Sequence, residues 1–487
     1  MRDLAYNVRQ EGVPPFFLIG MGPFAKKHYV NLFKKHAIYP EFVVDLDCNR
    51  DKLSAFLEAK ELPLPLYLVP EQDRDAEVLP ESTKRDLLRL IKAHSITHAI
   101  VATEPKAHFA YLDFLIECGV DVLVEKPLTA PLGCSHSVEA AKKIEEQYTY
   151  LLQKAEKHKV RVDLQCQRRY HPIYQFLLQE IESFVAEFSI PLSYAEVYHC
   201  DGMWNMPDEF VYRENHPYKY GYGKLMHSGY HFIDLLALFL ETSYKASPKT
   251  PDSAEIYATP YNPGDFLHLC NQEDYARLFQ GRDYQSIFAQ REELGFKTYG
   301  ELDFFSLIQL FSEGKRLTTC SLNLLQTGFS RRAWTDLPED TYKANGRIRH
   351  ERINLQFGHL FNMQVHSYVS SESREKSALD PLEVGGLRHF DIYLFRNSQL
   401  VGGKPFAKLN SSDFTKNLDS SFNEQSREEC FFRFLDDLPS LSSLKDHKLG
   451  ITILSHSLQA IAQSNRGEPS IQRFQMEEPA YASSTSY

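Results

Sequence analysis

The chain has eight cysteines (48, 118, 134, 166, 200, 270, 320 and 430) and no Cys-x-x-Cys pair among them. Most sit inside apolar runs, the setting of reduced thiols, so neither a disulfide framework nor a cysteine zinc site is indicated. No stretch approaches the roughly 20 consecutive apolar residues of a membrane helix, and the opening Met1 to Asn7 lacks the basic start and apolar core of a signal peptide. A cytoplasmic protein is the expectation. Basic residues are fewer than acidic ones, 54 against 65 for a formal charge of −11, and they are scattered. That distribution argues against nucleic acid as a partner. No internal repeat is apparent.

What the chain does have is length and core-forming material. At 487 residues with 43% hydrophobic and 13% aromatic side chains, it exceeds one ordinary core, so two domains are expected. Phe16 to Gly20 reads as a short buried strand. It runs into Gly20-Met-Gly22-Pro23-Phe24-Ala25 and an amphipathic stretch from Lys26 to His36. This is a Gly-x-Gly-x-x-Gly/Ala fingerprint in a strand-turn-helix setting. Gly20 allows the tight turn, Gly22 lets main chain approach a pyrophosphate, and Ala25 lets helix pack close on strand. A second strand over 41 to 45 ends in Asp45, about 20 residues past Ala25, the spacing of a carboxylate that bonds ribose hydroxyls. Asp45 favours NAD over NADP, while Arg50 and Lys52 keep NADP open.

Residues 62 to 80 carry four prolines (63, 65, 70 and 80) and many charges, and read as a loop or excursion. A helix over 84 to 93, a strand over 97 to 103, a helix over 106 to 118 and a strand over 121 to 125 restore the alternation of a parallel sheet. A long helix from Ser137 to His158 and a strand over 161 to 167 bring the locally legible strands to five in what is expected to be a six-strand half. The strand Val122 to Val124 leads into Glu125-Lys126-Pro127. Pro127 cannot donate to a ladder, so pairing stops there and Lys126 is held at a strand's carboxyl end, the edge where open α/β sheets bind ligands. Taken alone, Lys126 reads more readily as a solvated lysine opening a loop.

Beyond Arg168 the periodicity changes. Arg352 to Val369 alternates apolar and polar residues and reads as a long strand with one wet face. Strands are also expected over 304 to 311, 316 to 325 (across a Ser312-Glu-Gly314 turn) and 390 to 396. Helices are expected over 428 to 438 and 448 to 463. Residues 242 to 297 fit neither period and read as an insertion.

Tyr220 to Asp234 is a glycine-hinged loop entering a helix whose apolar face is Phe232, Leu235, Leu236, Phe239 and Leu240, with Ser228 as a cap. His231 and Asp234 lie off the centre of that face, turned toward a cleft. Three readings stand open. The histidines bond backbone at the core edge; or His227, His231 and Asp234 bind a metal; or a histidine serves as general acid/base beside a cofactor. Lys126 favours the third, so no metal is expected.

Taken together, these stretches resemble the Gfo/Idh/MocA oxidoreductases. The matching residues, in order, are Gly20 to Ala25, Asp45, Ala102-Thr103-Glu104-Pro105 with His108, Glu125-Lys126-Pro127, Arg169 with Pro172, and Gly223 through His231 to Asp234. A weaker likeness returns over 429 to 468. The resemblance implies an α/β protein: a Rossmann doubly wound parallel sheet over 1–167, then an α+β domain with a large open, mostly antiparallel sheet over 168–476. An insertion near 242–300 and a flexible tail over 477–487 complete the organisation. It implies NAD(P) held by Gly20, Gly22, Pro23, Phe24, Ala25, Asp45, Thr103, Glu104, Pro105, His108, Glu125, Lys126 and Arg169. It also implies hydride transfer on a sugar, sugar derivative or cyclitol, with Lys126 and His231 catalytic and His227 beside them. Arg169, Tyr170, Tyr222 and Asp234 are expected near substrate, with Tyr220 and Trp204 as further wall, and self-association as homodimer or homotetramer through the second sheet. The chain departs from the pattern in three ways: His227 stands where an aspartate is usual, Glu104 where proline is common, and the chain is longer. A non-catalytic dinucleotide-binding regulator, or an NAD-retaining glycosidase or epimerase, remain as alternatives.

Overall fold

A computed structural model describes residues 12–213, 217–279, 282–290, 295–332, 346–370, 380, 382–386, 388–415 and 421–476. The expected tail over 477–487 lies outside them. The chain divides into two compact units, each drawn from three segments. The first comprises 1–130, 146–170 and 423–448; the second comprises 131–145, 171–422 and 449–487. The units therefore differ from a single boundary near 167, because the chain returns to the first unit after residue 422.

The first unit is built on six parallel strands: β1 (Phe16–Ile19), β2 (Val43–Leu46), β3 (Leu66–Val69), β4 (His98–Val101), β5 (Asp121–Val124) and β6 (Val162–Leu164). Their order is β3-β2-β1-β4-β5-β6, so the sheet reverses direction of growth between β1 and β4. In doubly wound sheets a ligand crevice opens at that point. The central strands are buried on both faces, and their apolar runs leave no polar alternation to mark an inside. Phe431 and Phe434, on the helix Phe422–Leu435, join Phe16, Leu18 and Phe33 in one core. This closes the sheet with chain some 400 positions downstream.

Three expectations change here. The stretch over 62–80 contains β3, which pairs with β2 from Val43↔Leu66 to Leu46↔Val69. Its prolines fall at 65 and 70, just outside the strand, and at a sheet edge they cost no ladder bond. The helix expected from Lys26 to His36 is two helices, Pro23–Lys27 and Tyr29–His36, joined at His28. The helix expected over 428–438 begins earlier, at Phe422, and ends at Leu435.

The second unit carries a nine-stranded sheet: β7 (Tyr194–Cys200), β8 (Ser253–Tyr261), β9 (Asp303–Ser312), β10 (Lys315–Leu325), β11 (Ile348–Phe357), β12 (Phe361–Ser370), β13 (Phe390–Arg396), β14 (Phe406–Leu409) and β15 (Ile471–Gln475). The order is β14-β13-β12-β11-β7-β10-β9-β8-β15, antiparallel except for the β7–β10 pair. The run read as one long strand is the hairpin β11–β12. Phe357 pairs with Phe361 across a turn at Gly358, whose φ of +52° lies in the left-handed region. The three turn residues preserve parity, so apolar side chains stay on one face and sequence alternation runs through the reversal. The insertion also proves partly regular: β8 lies inside it and pairs with β9. Its helices Pro263–Leu269, Gln272–Leu278 and Gln285–Ala289 build a second aromatic core on Met206, Phe210 and Tyr218.

One face of this sheet buries Val197, Ile353, Leu355, Met363 and Val365, and the helices Pro172–Phe188 and Tyr230–Lys245 pack together beside it. The other face presents Tyr257, Phe305, Leu307, Phe395, Phe406 and Ile471 as exposed apolar side chains at its two flanks. Between them lies a ladder of amides, in which Asn362 donates to Asn354 (2.6 Å) and Gln356 (2.8 Å).

Candidate active site

In the first unit, the register Ile19↔Val101 and Val101↔Val124 sets Gly20, Ala102 and Glu125 level at the carboxyl ends of three strands. Gly20 has φ of +89°, and a Cβ there would stand 2.6 Å from the Cα and N of Thr103. Only glycine allows the loop after β1 to lie against the end of β4. A Cβ on Gly22, by contrast, would meet nothing within 4 Å, so main chain is open to a phosphate there. Pro23 fills the first helical position and removes one N–H that would otherwise face it.

Asp45 ends β2 beside this loop. Its Oδ2 accepts the Met21 amide at 2.7 Å, and its Oδ1 accepts Leu46 N and Asn49 Nδ2, both at 2.8 Å. A carboxylate has about four acceptor positions, so capacity for ribose hydroxyls is left. Lys26 lies within electrostatic reach of Asp45 and Lys52. Burial, the larger influence, lowers its pKa, and Asp45 opposes that. These residues fit a dinucleotide: an open glycine at the pyrophosphate position, a carboxylate beside the loop, and cations near it.

His108 welds the next two pieces together. Its Nδ1 lies 2.9 Å from the Pro127 carbonyl and its Nε2 3.1 Å from the Thr103 carbonyl. Burial pushes its pKa down to about 4 against the pull of those carbonyls, so the ring is neutral and donates to one of them. Thr103 and Pro105, the latter opening the helix Pro105–Glu117, are thereby fixed relative to the Lys126–Pro127 corner, which contains a cis peptide. Glu104 stays exposed. Glu125 points inward, buried, and accepts the Tyr29 hydroxyl at 2.8 Å. Burial raises its pKa, with Arg427 and Tyr29 opposing. Lys126 is half-buried at the end of β5. Arg169 is buried, and its guanidinium donates to the carbonyls of Leu441 (3.2 Å) and Asp446 (2.7 Å). Tyr170 lies in the core of the unit with its hydroxyl accepting the Leu441 amide. Arg427, which sequence reasoning missed, lays its guanidinium over the Phe24 ring at 5.2 Å and bonds His28 Nδ1 at 3.1 Å. No local signal marks it, since 399 positions separate it from His28.

In the second unit, His227 lies on Leu225–Gly229, the one π-helical turn among the described residues, and His231 on the first turn of the helix Tyr230–Lys245. Such turns recur at functional sites. Both histidines are buried, and the Tyr218 ring meets His227 edge to face at 5.6 Å. Asp234 is fully buried, with its main chain against Gly450. The apolar arc wraps the whole first half of this helix, so position on a helical wheel does not release it. Ser228 does not cap the helix either. The residue preceding it is Gly229, and Ser228 Oγ instead donates to Asp201 Oδ2 at 2.6 Å.

Ser228 belongs to a buried charge cluster that the sequence did not reveal. Lys224, fully buried, donates to Asp201 (2.5 Å), His199 Nδ1 (3.0 Å) and Ser228 Oγ (2.9 Å). Arg347 engages the other Asp201 oxygen, and its pKa falls to about 9, through burial first and Arg349 second. His199 stacks on Phe232 at 4.1 Å. Lys224 sits in Gly-Tyr-Gly-Lys and looks like a hinge cation; its partners lie at the end of β7, a strand not anticipated. Tyr222 is buried and meets Tyr220 at 6.1 Å, whereas Trp204 donates to the Tyr275 hydroxyl at 3.1 Å and belongs to the aromatic core of the insertion.

Residues 16–152 match the model of an oxidoreductase family with an NAD-binding Rossmann fold, GFO_IDH_MocA. The match covers this domain alone, and the family it describes binds NAD. No curated protein matches the sequence. Solved structures similar over nearly their whole length share the fold at low identity. An NAD-binding oxidoreductase from Klebsiella pneumoniae has TM-score 0.56 and 10% identity, covering 96% of this chain and 100% of its own. The WlbA dehydrogenase from Bordetella pertussis, in complex with NADH and UDP-GlcNAcA, has TM-score 0.52 and 12% identity over 96% and 100%. Aldose-aldose oxidoreductase from Caulobacter crescentus, complexed with glycerol, has TM-score 0.51 and 11% identity over 95% and 100%. Among the described residues no helix is long and apolar enough to cross a membrane.

Proposed function

We propose that the protein moves hydride between NAD and a hydroxyl-bearing carbon of a sugar, sugar derivative or cyclitol. The observation that carries this reading is the nucleotide loop of the first unit, where Asp45 on the Met21 amide and the open Gly22 suit the dinucleotide of the matched family. NAD, when bound, supplies the hydride acceptor. The chain's own contribution is to bind, orient and move protons. Lys126 would polarise the substrate hydroxyl oxygen, and His231 would take its proton, as a neutral imidazole can near pH 7. Asp45 would bond the adenosine ribose, with Thr103, Glu104, Pro105 and the main chain around Gly22 to Ala25 lining the rest. Glu125 and His108 would act from beneath, fixing the corner that carries Lys126. His227, Tyr222 and Arg169 would complete the surroundings of the substrate.

His227 favours one narrower feature. An imidazole in place of the usual aspartate removes a negative charge, so an anionic substrate group is better tolerated there, and WlbA, of the same fold, is known with UDP-GlcNAcA. The exposed apolar flanks of the nine-stranded sheet support self-association of two copies through that face. The test is a panel of neutral and acidic sugars, sugar nucleotides and cyclitols with either coenzyme. Substrate-dependent absorbance change at 340 nm supports the dehydrogenase. Product formed without net change at 340 nm would point instead to NAD-retaining chemistry, and dinucleotide binding without any turnover to a regulator.

A further inference from the structure

Residues 299–301 cross residues 222–224 with no space between them. A Cβ on Gly223 would stand 2.3 Å from Glu301 N and 2.4 Å from Glu301 Cδ, and one on Gly300 would stand 2.2 Å from Gly223 N. Across this crossing Glu301 takes two main-chain donors. Its carbonyl accepts Lys224 N and its carboxyl Oε1 accepts Leu225 N, both at 2.8 Å. These amides open the π-helical turn that carries His227. His227 N then bonds Gly223 O at 3.1 Å, and the link that widens the turn, Gly229 N to Lys224 O at 2.9 Å, spans five residues; a Cβ on Gly229 would press on the same carbonyl at 2.6 Å. Glu301 is wholly buried, and its Oε2 has no hydrogen-bond partner. A carboxyl is costly to bury when half of it goes unbonded. A residue with no role beyond packing would not need one there.

We propose that Glu301 is a positioning residue for the histidine turn: by accepting the Leu225 amide it fixes the wide pitch of Leu225–Gly229, and so the orientation in which His227 and His231 are presented. The proposal rests on the hydride-transfer reading only for its effect on turnover; the ordering of the turn stands without it. The titratable groups facing Glu301 are Asp303 from β9, Lys224 from the turn and Cys134 from the preceding segment. Burial, chiefly, holds its pKa up at about 7, Asp303 adding to the rise and Lys224 and the Leu225 amide opposing it. Ionisation near neutrality strengthens the bond to Leu225, since charged acceptors bind amides more tightly.

The test compares Glu301→Ala, Glu301→Gln and Glu301→Asp in the full chain by hydrogen exchange and by turnover. Glu301→Ala should speed exchange in peptides spanning 223–231 by about tenfold or more, with β9 and β10 unchanged. It should lower kcat by about tenfold to 100-fold while the dissociation constant for NAD stays within about twofold. Glu301→Gln, which keeps the acceptor, should restore protection and most of kcat, and any ionisation near neutrality that Glu301 contributes to the wild-type kcat profile should be absent from its own. If Glu301→Ala does not fold, Glu301→Asp, too short to reach Leu225, takes its place. Unchanged exchange over 223–231 in a folded Ala or Asp variant overturns the proposal. Unchanged kcat also overturns it, provided His231→Ala is inactive. If His231→Ala retains full turnover, the hydride-transfer reading is what has failed, and exchange alone decides the role of Glu301.

Discussion

The nucleotide loop of the first unit and the histidine turn of the second use the same device in opposite surroundings. In each, a carboxyl from a distant strand end accepts the amide of a bend: Asp45 takes Met21 N at 2.7 Å, Glu301 takes Leu225 N at 2.8 Å. Asp45 is half-exposed and takes three protein donors, which leaves room for a ligand. Glu301 is sealed in, has one oxygen unbonded, and resists ionisation. The difference separates a carboxyl arranged to meet something arriving from outside from one arranged to hold the chain itself. Near the histidine turn even the cations are internal, since Lys224 and Arg347 share Asp201.

The sharpest way to break the first half of this comparison is Gly20→Ala. A positive φ and 2.6 Å from the Thr103 backbone leave no relaxed position, so we expect a loss of more than about 3 kcal/mol and of NAD binding, read by denaturant titration and calorimetry. Next is Lys224→Met. Removing the buried ammonium leaves Asp201 and Arg347 in an imperfect pair, and should cost about 3 kcal/mol in the second unit with NAD affinity unaltered. An equal loss of affinity would contradict the separation drawn here.

The third prediction concerns pH. A carboxyl raised from about 4.5 to about 7 in the folded chain contributes stability that is complete below about 4.5 and lost as pH rises through about 7. Glu301→Gln cannot ionise, so relative to wild type it should gain about 1–3 kcal/mol between pH 4.5 and 8, checked as the change in Tm difference across that range. The corresponding change in the first unit is Asp45→Asn. Its effect is on affinity, weakening NAD about tenfold, or about 1.4 kcal/mol, and narrowing the preference against NADP. Last, Ser228→Ala should cost about 1 kcal/mol for its lost bond to Asp201, measured by thermal unfolding.

How much of this could be read beforehand follows the same division. Gly20, Gly22, Asp45 and Lys126 can be singled out because strand, turn and spacing are local, and the parallel character of the first sheet follows from alternation with helices. The strand β3 hid behind prolines that lie at its ends rather than within it. The hairpin β11–β12 looked like a single strand because a three-residue turn keeps odd positions odd. β8 hid inside a stretch whose helices break any period. Glu301 lies 76 positions from the amide it holds, and Arg427 farther still from Phe24. Pairings of that range leave no trace in composition or spacing, because each partner alone is an unremarkable charged residue. Asp234 illustrates the reverse: its spacing gives no sign that it is fully buried.

The crossing of Gly223 and Gly300 has a practical corollary for anyone wishing to redesign the insertion. That segment ends at the crossing, and its Tyr275, Phe279 and Tyr284 share an aromatic core with Met206, Phe210 and Tyr218. Its helices can therefore be altered only where Met206, Phe210 and Tyr218 keep their cover, and the splice must leave Gly300-Glu301 as the closing pair. A junction one residue later would delete the clasp along with the cargo.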